Sequence, residues 1–539
     1  MDQATQWRFI YDGVIYIRDC TTMNKATVAA IASESPYTVD AGRQLAAMGG
    51  NAVDIAVGSA LAATVSEALM CSLGGSAFIA IKIPGREPEL VDGADAMPHI
   101  PERILQDSAR EWKQASIPYG DGITVNVGHA SVAVPGMLRA LELAWQRHGS
   151  LPWAELLAPA IALARSGTTA NHTLVKWLAM AGKAVFFEQR ESREAFFPDG
   201  HTPLQHGEFY RSPHLDSSLE LIAREGADAL YRGDLGRAFE QEMSTNHGYV
   251  TLADLQAYQA QVRTPITLNS HGFRLALNPP PSIGGAMTGS MIQLFDALWH
   301  ESMTEAEKIL ATARIQRTMF SLRQLEGSAA WSSQRAALIL EKPWLQRFYH
   351  KTFAPNTMHL STATGDGTVV AITMSNGYGS GISIPGTGIP TNNSLGEPEL
   401  NPAGYYCQKP GSRLVSNMSP TVAWHDNGTT LAMGSPGASR ITTTLFQGWR
   451  RFAFDKVSFE DMVRAPRLHV EQVGGQFLLQ HEPGIDVSLA QQHFELRTFD
   501  DIDMYFGALN VAGSDASGKL HALADNRRHG AQCITGGEG

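Results

Sequence analysis

The chain has 539 residues, enough for about three domains or one large composite one. Asp and Glu outnumber Lys and Arg 53 to 42, for a net charge of −11, so nothing supports the basic surface of a general nucleic-acid binder. Hydrophobic residues make up 43% and charged residues 18%, which excludes the composition of a disordered chain.

Four cysteines, Cys20, Cys71, Cys407 and Cys533, are far apart and none has CxxC spacing. Neither a structural zinc site nor a disulfide scaffold is suggested. No apolar run reaches the roughly 20 residues that span a bilayer. The start, Met1-Asp2-Gln3-Ala4, lacks the basic-then-apolar layout of a secretory signal. A soluble, cytoplasmic chain is expected.

Residues 1–25 match nothing that follows, and Met23 offers an alternative start, so they are set apart as an N-terminal extension. Residues 36–70 read as helical: Pro36 opens a helix with Ala41, Leu45, Ala46 and Met48 on one stripe, and Gly49-Gly50-Asn51 breaks it. The segment from Ala52 to Val65 is apolar all round and reads as a buried helix. Ser72-Leu73-Gly74-Gly75-Ser76 then turns into a strand over 77–83. Neither GxxxxGK[ST] nor GxGxxG accompanies that Gly-Gly, which argues against a phosphate loop.

Residues 100–350 read as mainly helical, with helices between Gly136 and Gly167 and Pro152 starting a new one. Pro279-Pro280-Pro281-Ser282 with Gly284-Gly285 makes a rigid loop before another apolar helix. At Thr357 the texture changes. Period-two alternation over 357–375 around Gly365-Asp366-Gly367 predicts a hairpin. Strands follow at 421–424 and 430–433, joined at Asp426-Asn427-Gly428. The expected division is a helix-rich part over 26–356 and a strand-rich part over 357–539.

On spacing alone, a Thr that opens a strand caps a turn or bonds its own backbone as readily as it does chemistry. The wider pattern says more. In order, the chain carries Ala41-Gly42, Gly49-Gly50-Asn51-Ala52-Val53-Asp54, Leu73-Gly74-Gly75, Val132-Ala133-Val134-Pro135-Gly136, Gly233-Asp234-Leu235 and Pro280-Pro281-Ser282-Ile283-Gly284-Gly285. Thr357-x-His359-x-Ser361, Asn417-Met418-Ser419-Pro420-Thr421, Gly434-Ser435-Pro436-Gly437-Ala438-Ser439-Arg440 and Ala465-Pro466-Arg467 follow. Over about residues 30–530 this resembles the gamma-glutamyltranspeptidase family of N-terminal-nucleophile (Ntn) hydrolases.

The resemblance implies an α+β fold, a four-layer αββα sandwich assembled from both halves of a self-cleaved precursor. It puts the cut between Asn356 and Thr357 and makes Thr357 the nucleophile. The freed α-amine has an ordinary pKa of about 7.7–8.0, so a neutral fraction is available to take the Thr357 Oγ proton. Acylation then gives an ester on Thr357, which water or an amine resolves. Ser375 takes the place of a second Thr that bonds the nucleophile. The oxyanion donors fall on Gly437 and Ala438, where Ala replaces the usual Gly and keeps the hole if its φ stays negative.

On the acyl side, the family's carboxylate-binding Arg falls on Ala94, and its Ser pair on Ser416 and Asn417. Asn376 takes the place of a substrate-binding Asn, and Ser394 and Glu397 take the ammonium contacts. Loss of the Arg removes a charge-assisted bond of about 1.5–3 kcal/mol, and Asp95 beside Ala94 adds negative charge. Poor activity on glutathione is expected, with Arg440 as the rival source of a cation. Relatives named by the resemblance act on other small acyl groups: oxamate amidohydrolase, cephalosporin acylases and carbon–carbon hydrolases of antibiotic precursors.

The implied partners are a small acyl donor, water or an amine acceptor, and the two chains of the precursor, with no nucleic acid, membrane, metal or organic cofactor. No GxSxG or HExxH is present. His359 therefore reads as structural, and His469 with Glu482 not as a metal pair. The competing class is an unprocessed binding or scaffold protein that keeps the fold.

Overall fold

The computed structural model describes residues 8–11, 14–17, 26–100, 112–118, 122–326, 357–401, 404–473 and 476–536. The proposed cleavage residue Asn356 lies outside the described residues, as does most of the extension 1–25.

Strands in chain order are β1 (Ala29–Ser33), β2 (Ser76–Lys82), β3 (Glu89–Gly93), β4 (Gln261–Arg263), β5 (Ile266–Ser270) and β6 (Phe273–Leu277). After them come β7 (Thr357–Thr364), β8 (Val369–Ser375), β9 (Thr421–His425), β10 (Thr430–Gly434), β11 (Asn510–Ser514), β12 (Leu520–Leu523) and β13 (Ala531–Ile534). They form a seven-stranded sheet in the order β4-β3-β2-β8-β7-β1-β13 and a six-stranded sheet in the order β5-β6-β9-β10-β11-β12. All neighbours in both are antiparallel.

The helices that cover these sheets are α1 (Pro36–Ala47), α2 (Ala52–Ser66), α3 (Met137–His148), α5 (Gly284–Leu298), α6 (Arg440–Trp449) and α7 (Phe459–Arg464), while α4 (Trp153–Ser166) packs on α1 and α2. α1, α2 and α3 pack on the seven-stranded sheet, while α5, α6 and α7 pack on the six-stranded one. β7 and β8 in turn contact β10 of the other sheet.

The start of α2 shows how the local sequence dictates the element. The Asn51 side chain accepts from Val53 N at 2.9 Å and Asp54 N at 3.0 Å, and Asp54 Oδ2 accepts from Asn51 N at 3.0 Å. This reciprocal cap satisfies donors a helix start leaves open. Every residue of α2 is buried, as its uniformly apolar sequence requires. In the β7–β8 hairpin, Asp366 Oδ1 accepts from Thr364 Oγ1 at 2.6 Å and Thr368 N at 3.0 Å, and Gly367 takes φ +86°. That turn sets the register and places Thr357 opposite Ser375.

The described residues between 100 and 350 are mainly helical, as expected, but short strands at Lys113–Ile117, Ile123–Val127, β4, β5 and β6 interrupt the helices. β5 alternates in burial along its length, a half-buried pattern too short to stand out among long helices. The strands that follow Thr357 join those before it in the same sheets. β7 and β8 sit between β2 and β1 in one sheet, so the core cannot form from either part alone. No described helix is long and apolar enough to cross a membrane.

Candidate active site

Thr357 is the first residue of β7 and is 5% exposed. Its hydroxyl donates to Ser375 Oγ at 3.4 Å, and that oxygen also accepts from Gly377 N at 3.1 Å. The Thr357 carbonyl accepts from Arg528 Nη1 at 2.9 Å. Arg528 is fully buried and faces Glu34 Oε2 at 3.4 Å, while Glu34 Oε1 accepts from His359 N at 3.1 Å. Burial pushes the Glu34 carboxyl up to about 7, against the opposing pull of Arg528.

Thr357 and Ser375 open onto a cavity of about 40 Å3, room for a few waters or a short aliphatic chain. Its polar wall is Ser76, Asp95, Ser394, Glu397, Ser416 and Asn417, and its apolar wall is Leu400, Leu414, Val415, Met418 and Ile441. Ala94, Gly377 and Ala438 complete it. No Lys, Arg or His is among the described residues that line it.

The glycine- and proline-rich motifs brace these walls. Ser282 Oγ donates to Ser416 O at 3.0 Å and Met418 O at 2.8 Å. A Cβ on Gly284 would lie 2.1 Å from Asn417 O, so only glycine lets that wall approach α5. Asn392 Nδ2 donates to Gly74 O at 2.8 Å and Ala133 O at 3.1 Å, and its Oδ1 accepts from Ala133 N and Ser394 N. One side chain thus ties three separate loops beneath the cavity.

At the N-terminus of α6, Gly437 has φ +114° and Ala438 φ +60°. Their carbonyls accept from Arg440 N at 2.9 Å and Ile441 N at 3.2 Å. Their N–H groups have no protein acceptor among the described residues. A helix N-terminus concentrates such donors and carries positive partial charge.

The model of the family described as gamma-glutamyltranspeptidase matches residues 38–535. The chain belongs to the gamma-glutamyltranspeptidase family. It is 31% identical to the acylase ACY 1 proenzyme of Pseudomonas sp. (strain V22) over 484 residues, 86% of this chain and 85% of the relative. It is 29% identical to the glutathione hydrolase proenzyme of Escherichia coli (strain K12) over 486 residues, 83% and 81% of the two chains. The fold matches the cephalosporin acylase of Bacillus halodurans with a TM-score of 0.77 at 22% identity, covering 100% of this chain and 98% of the other. The fold is therefore the mixed α/β architecture of gamma-glutamyltranspeptidase-like Ntn hydrolases.

Within that family frame the structure gathers Thr357, Ser375, Ala438, Ser394, Glu397, Ser416, Asn417 and Ala94 around one cavity. Gly437 adjoins it through Ala438. Four expectations need correction. Asn376 does not line the cavity: it is fully buried and its Nδ2 donates to Thr391 O at 3.3 Å, while Gly377 takes the place at the wall. Ala438 does not avoid positive φ: it holds a left-handed backbone that costs a non-glycine residue roughly 1–2 kcal/mol, yet its N–H still has no protein acceptor among the described residues, so a negative φ is not what keeps that donor available.

Arg440 supplies no cation to the cavity. It is fully buried, its guanidinium lies 3.9 Å over the Tyr505 ring, and it pairs with Glu471 at 3.9 Å. Asp95 does not present a full negative charge at neutral pH, because burial pushes its carboxyl up to about 8 in spite of the Ser394 hydroxyl bond.

His359 fits its structural reading. Its ring nitrogens meet Thr373 Oγ1 at 2.8 Å and Ser361 Oγ at 2.9 Å, a Cβ on Gly434 would touch the ring, and burial holds the imidazole down to about 3. Glu482 is engaged by Arg527 and by Arg467 N at 2.8 Å rather than by His469. The residues missed by sequence reasoning are Ser76, Glu34, Arg528 and Gly377. Only Gly377 left a local signal, as a glycine in a turn directly after a strand.

The raised Asp95 carboxyl has a consequence for stability. In the unfolded chain it ionises near 3.9, in the fold only near 8. Its stabilising contribution is therefore full below about 4 and is lost as pH rises through 8. Asp95→Asn should raise the melting temperature by several degrees at pH 8.5 and by clearly less at pH 5.5. A thermal-shift gain that is equal at both values would contradict the assignment.

Proposed function

We propose that the chain is a self-processing Ntn hydrolase or transferase that cleaves an amide of a small acyl compound through an ester on Thr357. The observation that carries this reading is the placement of Thr357. It begins a buried strand at a cavity, with Ser375 Oγ at 3.4 Å and with unengaged N–H groups at Gly437 and Ala438. The family and its proenzyme relatives support the same reading. The packing of helices on both sheets supports an αββα arrangement.

In this mechanism the large chain runs to Asn356 and the small chain begins at Thr357. The neutral α-amine of Thr357 takes the Oγ proton as Oγ attacks the acyl carbon. The Gly437 and Ala438 N–H groups receive the developing oxyanion. The C–N bond breaks, the amine leaves with the proton, and an ester remains on Thr357. Water or an acceptor amine attacks that ester, and Oγ–H is restored. Ser375 orients the nucleophile, and Ser394, Glu397, Ser416 and Asn417 bind the acyl group.

Glutathione is a poor donor in this reading, because no Lys, Arg or His is among the described residues of the wall where Ala94 replaces the family's Arg. That absence favours the acylase side of the family. The purified protein should show two chains on a denaturing gel, and N-terminal sequencing of the smaller should read Thr-Met-His-Leu-Ser. A single intact chain that nonetheless turns over an amide would retire the mechanism.

A further inference from the structure

Three buried acceptors in the polar wall of the cavity have no hydrogen-bond partner among the described residues: Asp95 Oδ1, Glu397 Oε1 and Asn417 Oδ1. Asp95 is 4% exposed and Glu397 1%. Asp95 Oδ2 accepts the Ser394 hydroxyl at 2.6 Å. A Cβ on Gly377 would lie 2.1 Å from Glu397 Oε1. That oxygen therefore fills the space that any side chain at 377 would take, and both residues line the cavity.

Buried oxygens without donors are unfavourable. Protonation relieves part of the cost: burial pushes both carboxyls up, and for Glu397 the neighbouring Glu399 and Asp95 add to it. A ligand that brings donors and positive charge relieves more. An ammonium offers three N–H donors and no acceptor. A carboxylate brings negative charge, so it would bind only with both acids held protonated, and no Lys, Arg or His is among the described residues of the wall to neutralise it. The cation whose field reaches Asp95 is Arg413. Its guanidinium is held elsewhere, stacked 4.0 Å over Tyr258 and donating to Gln259 O.

We propose that the acyl donor is a short aliphatic amide that bears an ammonium and no carboxylate, with the ammonium seated between Asp95 and Glu397. The simplest member of the class is a 4-aminobutanoyl amide, the γ-glutamyl group with its carboxylate removed. The inference rests on the reading of Thr357 as nucleophile. Leu400, Leu414, Val415 and Met418 line the same cavity as the acids and offer no charge to a carboxylate.

Four p-nitroanilides separate the two charges: 4-aminobutanoyl carries the amine alone, γ-glutamyl both groups, glutaryl the carboxylate alone, and butanoyl neither. With the processed protein, kcat/KM for the 4-aminobutanoyl compound should exceed that for butanoyl by about tenfold or more, the effect of one charge-assisted bond. It should also match or exceed γ-glutamyl, and glutaryl should fall lowest. Glu397→Gln should bring the ratio of 4-aminobutanoyl to butanoyl towards one. Ala94→Arg should raise γ-glutamyl and glutaryl turnover by about tenfold.

Turnover of glutaryl or γ-glutamyl above 4-aminobutanoyl overturns the inference. So does equal turnover of butanoyl and 4-aminobutanoyl, or a processed protein inactive on all four. An uncut chain inactive on all four is a different result, and removes the reading of Thr357 along with the inference.

Discussion

Thr357→Ala should remain a single chain and lose amide turnover to background, a fall of about a thousandfold or more. The same oxygen serves both events. It attacks the preceding carbonyl to open the precursor, and later attacks the substrate. Alanine removes it while leaving the β-strand geometry, since β7 is held by backbone pairing on both sides through β8 and β1. Thr357→Ser keeps the hydroxyl and its bond towards Ser375 Oγ, so it should still cleave, more slowly because the γ-methyl no longer restricts the rotamer. Gel electrophoresis and initial rates with a chromogenic amide measure both effects. A cleaved or fully active alanine variant would remove Thr357 from the centre of the mechanism.

The parts of this molecule that could be read from sequence are those whose causes are local. The uniformly apolar α2 and the Gly-Asp-Gly hairpin each follow from residues within a few positions of one another. The hairpin matters most, because its register sets Thr357 opposite Ser375 and so predicts the hydroxyl pair. What was not legible depends on distant contacts. Arg528 reaches the Thr357 carbonyl across 171 positions, and Ser394 reaches Asp95 across 299. Neither separation leaves a periodic trace.

The misreading of Asp95 has the same origin. Its identity suggested charge, but burial by distant segments pushes its carboxyl up, against the opposing pull of Ser394, Ser76 and Arg413. Asn376 failed differently, through a one-residue ambiguity in a turn. The structure resolves it by placing Gly377 against Glu397.

Arg528→Gln should lower kcat/KM by about a hundredfold, the scale on which a small misplacement of a reacting group is felt. It should also move the acid limb of the pH–rate profile to higher pH. The first effect follows from position. Arg528 Nη1 holds the carbonyl of the very residue that carries the nucleophile, and its own place is set by Glu34, which in turn holds His359 N.

The second effect follows from charge. Once Thr357 is freed, its α-amine must be neutral to accept the Oγ proton, and a buried guanidinium nearby disfavours the ammonium and lowers its pKa. Removing that cation raises the amine pKa, so activity should appear only at higher pH. Glu34 works in the opposite sense: it is neutral below about 7 and ionised above, and once ionised it offsets the guanidinium. Glu34→Gln should therefore extend the neutral-amine regime and flatten the profile above pH 7. Arg528→Lys keeps the charge without the planar fork, and should restore the position of the limb more fully than the rate. A merely structural Arg528 would change the rate and leave the limb where it stood, and that outcome would refute the electrostatic part of the role.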